Sequence, residues 1–120
     1  MAKVDIIQRG KDTWLRTLED IRFDLAGIEY TIPAGFECDG ASIPRAFWRI
    51  IGPPISSDYI DEAIIHDYLY RVQPVSRAAA DRDFFYRLNK PRMRIRRYLI
   101  YISVAAFGWI SWSQNKKEKK

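Results

Sequence analysis

A single cysteine and a single histidine occur in the 120-residue chain. Cys38 therefore has no partner for an internal disulfide, and the fold must hold without covalent staples, as suits a reducing compartment. A small residue in or near the core is its expected role. A structural zinc site is excluded on the same ground, because such sites draw four ligands mainly from Cys and His. The opening Met-Ala-Lys-Val-Asp has neither the apolar run nor the small-residue cleavage site of a secretory signal, so a cytoplasmic location is expected. No internal repeat is present. Nor is there a helix-turn-helix, zinc or single-strand-binding pattern, and no nucleic-acid partner is expected.

Long apolar runs are also missing. The segment Tyr98 to Trp112 falls short of the roughly 20 residues that cross a bilayer. Three readings remain for it: a core helix, an interfacial helix against a membrane or partner, and a span helped by snorkelling Arg and Lys. The excess charge of +5 is concentrated around it, between Arg92 and Arg97 and in the Lys-rich end from Lys116 to Lys120.

What is present suffices for one small domain, since 48% of the residues are hydrophobic and 14% aromatic. Short β-favouring stretches, Val4 to Ile7, Thr13 to Leu18, Ile21 to Leu25 and Ile28 to Ile32, predict a small antiparallel meander. Pro33-Ala34-Gly35 and the turn formers after Phe36 are expected to end the sheet. Three main helices follow. The first starts near Tyr59, capped by Ser57 or Asp58, and stops before Gln73-Pro74. The second is capped by Ser76 and carries Ala80, Phe84, Phe85 and Leu88 on one face until Asn89-Lys90-Pro91. The third runs from about Arg92 to Trp112. The expectation is a single α+β domain over residues 1–115, with a disordered tail at 116–120.

The chemistry-bearing residues sit mid-chain. His66 lies one turn before Tyr70 on a helix face, and Asp81 falls in line with the apolar stripe of the next helix, where a carboxylate needs a donor or a cation. The short Val72 to Val75 linker makes these helices neighbours, which places Asp81 within reach of the imidazole. An Asp holding one ring nitrogen leaves the other to take a proton from water or a hydroxyl. Asp67 points to another side of its helix and, with Asp39 and loop carbonyls, makes an oxygen-rich set that suits calcium. The alternative is structural: Asp39 caps a turn, Asp67 pairs with an Arg, and His66 and Asp81 share a core hydrogen bond. Ser42 lacks the Gly-x-Ser-x-Gly setting of a nucleophile. Arg45, Arg49, Arg71 and Arg77 are either anion ligands or charges that are solvated or paired with acids.

Three ordered blocks carry a resemblance. Ile32-Pro33-Ala34-Gly35-Phe36-Glu37-Cys38-Asp39-Gly40-Ala41-Ser42-Ile43-Pro44-Arg45, Ala63-Ile64-Ile65-His66-Asp67-Tyr68-Leu69-Tyr70 and Ala80-Asp81-Arg82-Asp83-Phe84 resemble domain-of-unknown-function family 1353. That likeness implies a small phage or bacterial protein, located in the host cytoplasm, on its membrane or in a virion. The order Asp-Gly-x-Ser, His-Asp-x-x-Tyr, Ala-Asp-x-x-Phe is also distantly similar to secreted bacterial and fungal phospholipases A2. This second resemblance implies His66 as base for a water, Asp81 as its orienting partner, Tyr70 in support, and Asp39 and Asp67 on the side of a calcium ion. Where those enzymes have cysteines, this chain has Ala41 and Ala63. Two functions are expected to compete: a calcium-dependent lipid esterase working at an anionic surface, and a noncatalytic phage assembly or host-interaction protein.

Overall fold

A computed structural model describes residues 3–10, 12–38 and 59–118. The chain divides into two compact units, Met1–Asp39 and Gly40–Lys120. The first is all β and the second, as described, all helical, so the class is α+β as expected.

In the first unit, strands β1 (Val4–Arg9), β2 (Asp12–Thr17), β3 (Ile21–Leu25), β4 (Ile28–Ile32) and β5 (Glu37–Cys38) are all paired antiparallel. They form two sheets, β1-β2-β5 and the hairpin β3-β4. Phe23 on β3 is buried between exposed Arg22 and Asp24, the alternation of a strand with one face inside, and its ring stacks on its cross-strand partner Tyr30 at 5.4 Å. Leu25 pairs with Ile28, so Ala26 and Gly27 alone make the turn, and both have positive φ, at 53° and 81°. This is the two-residue geometry that matches strand twist, and glycine adopts it without strain.

The segment after Pro33 does not end the sheet. It turns back and adds β5 to β2, with Cys38 opposite Leu15 and both buried. Thr17 secures this return: its buried hydroxyl donates to the Pro33 carbonyl and accepts from the Phe36 N–H, both at 3.1 Å. Glu37 on β5 faces Arg9 and Arg16, at 2.8 and 3.0 Å. Those two guanidiniums, Arg9 foremost, hold its carboxyl below the usual carboxylate range.

The second unit contains, among the described residues, helices α1 (Ile60–Val72), α2 (Arg77–Arg87), α3 (Arg96–Phe107) and α4 (Trp109–Glu118), with a 3-10 turn at Pro91–Met93. Ser57 and Asp58 lie outside the described residues; the residue before α1 is Tyr59, which makes no side-chain cap. Gln73, in the left-handed conformation, closes α1 with its N–H on the Leu69 carbonyl. Ser76 caps α2 as expected, accepting from the Ala79 N–H at 3.2 Å. Tyr59, Ala63, Phe84, Leu88, Met93, Ile100 and Val104 form one buried cluster, so α1, α2 and α3 share a core. Lys90, just beyond α2, reaches back to Glu62 on α1 at 2.6 Å.

The segment expected to be one helix from Arg92 to Trp112 is divided. Pro91 begins a tight turn, α3 starts only at Arg96, and a break at Gly108 separates it from α4. The break is local, because Gly108 keeps helical angles and the N–H groups of Gly108 and Trp112 still reach the Val104 and Gly108 carbonyls. Just before the break, the Arg77 guanidinium of α2 donates to the carbonyls of Val104 and Ala105 at 3.2 and 3.3 Å. Helix α4 continues into the Lys-rich stretch as far as Glu118. No helix among the described residues is long and apolar enough to cross a membrane.

Candidate functional site

His66 and Tyr70 project from one face of α1, four residues apart, and Asp81 from the buried face of α2. The four-residue connection between these helices holds them as antiparallel neighbours, and the three side chains meet. His66 Nε2 lies 2.9 Å from Asp81 Oδ1, and the Tyr70 hydroxyl donates to the same oxygen at 2.6 Å. Arg77, one turn before Asp81 on α2, stands 3.6 Å from Oδ2. The carboxylate thus has donors or positive charge at both oxygens, which offsets the cost of placing it at 3% exposure.

Aromatic rings fix the imidazole. It stacks on Phe84 at 4.3 Å and leans on Tyr70 at 4.4 Å. Tyr70 in turn takes the edge of Trp112 at 5.2 Å, and Gln73 Nε2 donates to the Trp112 carbonyl at 2.9 Å. Helix α4 is therefore tied to the site from behind. Burial, reinforced by the hydrogen bond to Asp81, pushes the Tyr70 phenol well above its ordinary value, so it stays a neutral donor.

Gly108 completes the enclosure. A Cβ there would run into the Tyr70 hydroxyl and the Val104 carbonyl. The tyrosine can occupy its position only because the helix passing it has no side chain at that point.

The structure brings together His66, Asp81 and Tyr70. Asp67 is half-buried on α1, and Asp39 lies outside the described residues, as do Ser42, Arg45 and Arg49. Among the described residues, no group of three or more His, Cys, Asp and Glu side chains gathers as a metal cluster would. Arg77, weighed as an anion ligand or as a charge solvated or paired with an acid, stands beside Asp81 and also donates to the end of α3; its spacing of four from Asp81 was the signal for half of that role. Nothing in the sequence pointed to Gly108. Trp112, at the end of the segment read as core, interfacial or spanning, packs on the site.

A helical pair holding a buried His-Asp-Tyr network, in a chain that also carries a small β unit, is thus the class the fold defines. The model of the family described as "Protein of unknown function (DUF1353)" matches residues 15–104, and the chain belongs to that family. It is 37% identical over 90 residues to an uncharacterized protein, y4jT, of Sinorhizobium fredii (strain NBRC 101917 / NGR234). The match covers 71% of this chain and 26% of that protein, so the chain spans about a quarter of its relative's length. No solved structure matches.

Proposed function

We propose that His66, Asp81 and Tyr70 form the base of a water-dependent ester hydrolase with a lipid substrate, of the kind the phospholipase A2 resemblance implies. The observation that carries this reading is the hydrogen bond of Asp81 to Nε2 of His66, shared by Tyr70 on the same oxygen. Asp81 accepts, so Nε2 carries a proton and the lone pair of the neutral ring is on Nδ1. Nδ1 takes a proton from a water whose oxygen adds to the ester carbonyl carbon. The C–O bond to the alcohol then breaks, and the imidazolium returns the proton to the departing oxygen. Asp81 stabilises the imidazolium between those events, and Tyr70 keeps Asp81 aimed. Asp39 and Asp67 take the calcium-side role; a bound calcium ion would supply positive charge for the carbonyl oxygen.

One observation favours a second reading. His66 is 1% exposed and Asp81 3%, the burial of a core polar network that specifies helix pairing in a noncatalytic phage assembly or host-interaction protein. A fluorescent phospholipid assay with and without calcium, on wild type and His66→Gln, decides between them. The hydrolase reading expects calcium-dependent turnover that falls by about 10²-fold or more in the variant. A folded wild type without turnover would establish the scaffold.

A further inference from the structure

Helices α3 and α4 present an apolar face that the core does not use. At 3.6 residues per turn, Ile95, Leu99, Ile102, Ala106 and Trp109 fall within an arc of about 80°, opposite the buried line of Met93, Ile100 and Val104. Ile95 is 77% exposed, Ile102 60% and Trp109 55%. The helical hydrogen bonds that persist across Gly108 keep the two helices in register, so the face continues through the break.

Charge identifies what this face meets. Between Asp83 and Glu118 the sequence contains no Asp or Glu, while Arg92, Arg94, Arg96 and Arg97 cluster around the start of the apolar face and Lys116 and Lys117 follow it. Apart from Glu118, the acids described in this unit all lie on α1 and α2: Asp61, Glu62, Asp67, Asp81 and Asp83. Two of them already neutralise the nearest basic residues, Asp83 holding Arg87 at 2.7 Å and Glu62 holding Lys90 at 2.6 Å. An apolar strip with an exposed Trp, basic at both ends and free of acids, has the chemistry of a helix lying in the headgroup plane of an anionic bilayer. Neither helix is long enough to cross it.

We infer that the outward face of α3 and α4 docks on an anionic lipid surface, with Ile95, Ile102 and Trp109 entering the headgroup boundary and the exposed Arg94 meeting lipid phosphates. Such docking stands independently of hydrolysis, because binding needs no turnover.

Flotation of the full chain with phosphatidylcholine vesicles, pure or with one-quarter phosphatidylglycerol, tests it. The expected result is flotation only with phosphatidylglycerol, weakened by salt, and at least about tenfold weaker for Ile95→Glu combined with Ile102→Glu. Both positions are exposed, so the unfolding midpoint should hold. Arg94→Glu should weaken flotation without any change in the apolar face. Equal flotation on both vesicles, no flotation at all, or wild-type flotation by the double variant overturns the inference. So does sedimentation showing that the double variant abolishes a dimer while vesicles remain unbound, which would assign the face to a second copy of the chain.

Discussion

Two polar clusters, one in each unit, are each built round a single carboxylate and have opposite settings. On the sheet, the Glu37 carboxylate is shared by Arg9 and Arg16 in reach of water. Between the helices, the Asp81 carboxylate is shared by His66 and Tyr70 out of it. In the first, solvent screens the charges and supplies a substitute whenever a partner leaves, so the contacts contribute little. In the second there is no substitute, and the loss of one member leaves others buried and unpaired. Burial, more than the number of bonds, decides what each cluster is worth.

Breaking the buried cluster at its centre should have the largest effect. Asp81→Ala strands the His66 N–H and the Tyr70 hydroxyl together, and a loss of about 3–5 kcal/mol is expected in denaturant unfolding. Gly108→Ala comes next. Helix propensity alone would favour alanine by about 1 kcal/mol, but the new methyl meets a buried, hydrogen-bonded phenol and a backbone carbonyl, neither able to swing aside. Overpacking of this kind costs about 1–3 kcal/mol, so the net change should be destabilising. Tyr70→Phe removes one charge-assisted bond but keeps the ring against Trp112, for a loss near 1.5 kcal/mol.

Titration sharpens the contrast between the units. The phenol of Tyr70 is held protonated in the folded state, whereas in the unfolded chain it ionises near 10.0. Its contribution to stability is complete below that pH and declines as pH rises beyond it, because only the unfolded state can release the proton. Absorbance titration should find Tyr70 silent until the protein unfolds, seen as a late phase that Tyr70→Phe removes, and the same variant should flatten the alkaline loss. Glu37 has the opposite sign. Its carboxyl is lowered from 4.5, so what it adds is present above that value and fades as pH falls through the folded one. Glu37→Gln should produce the smallest change of all, visible at low salt and gone at high salt.

The same contrast separates what could be read along the chain from what could not. The strands were legible because alternation about Phe23 and short turns are local signals, and Ser76 and Gln73-Pro74 marked helix ends for local reasons. Asp81 was legible because a carboxylate in an apolar stripe demands a donor, and a nearby helix carried the sole histidine. Strand β5 was not, since two residues show no alternation and the turn formers before it read as a stop. The surroundings of Gly108 were hidden more deeply: the glycine has ordinary helical angles, and the groups that reach this stretch belong to Arg77 and Tyr70, more than thirty residues earlier in the chain. A tertiary contact of this kind leaves no periodicity to detect.

The tight fit between Gly108 and Tyr70 also has a meaning for descent. The two positions are not free to drift separately: a side chain at 108 becomes admissible only after the hydroxyl at 70 has gone, and the hydroxyl can return only where 108 is bare. Substitutions at this pair should therefore be ordered in time, with the larger residue retreating before the smaller one grows. Lineages that keep the tyrosine should keep the glycine with it, and those that lose one should be the ones in which the other varies.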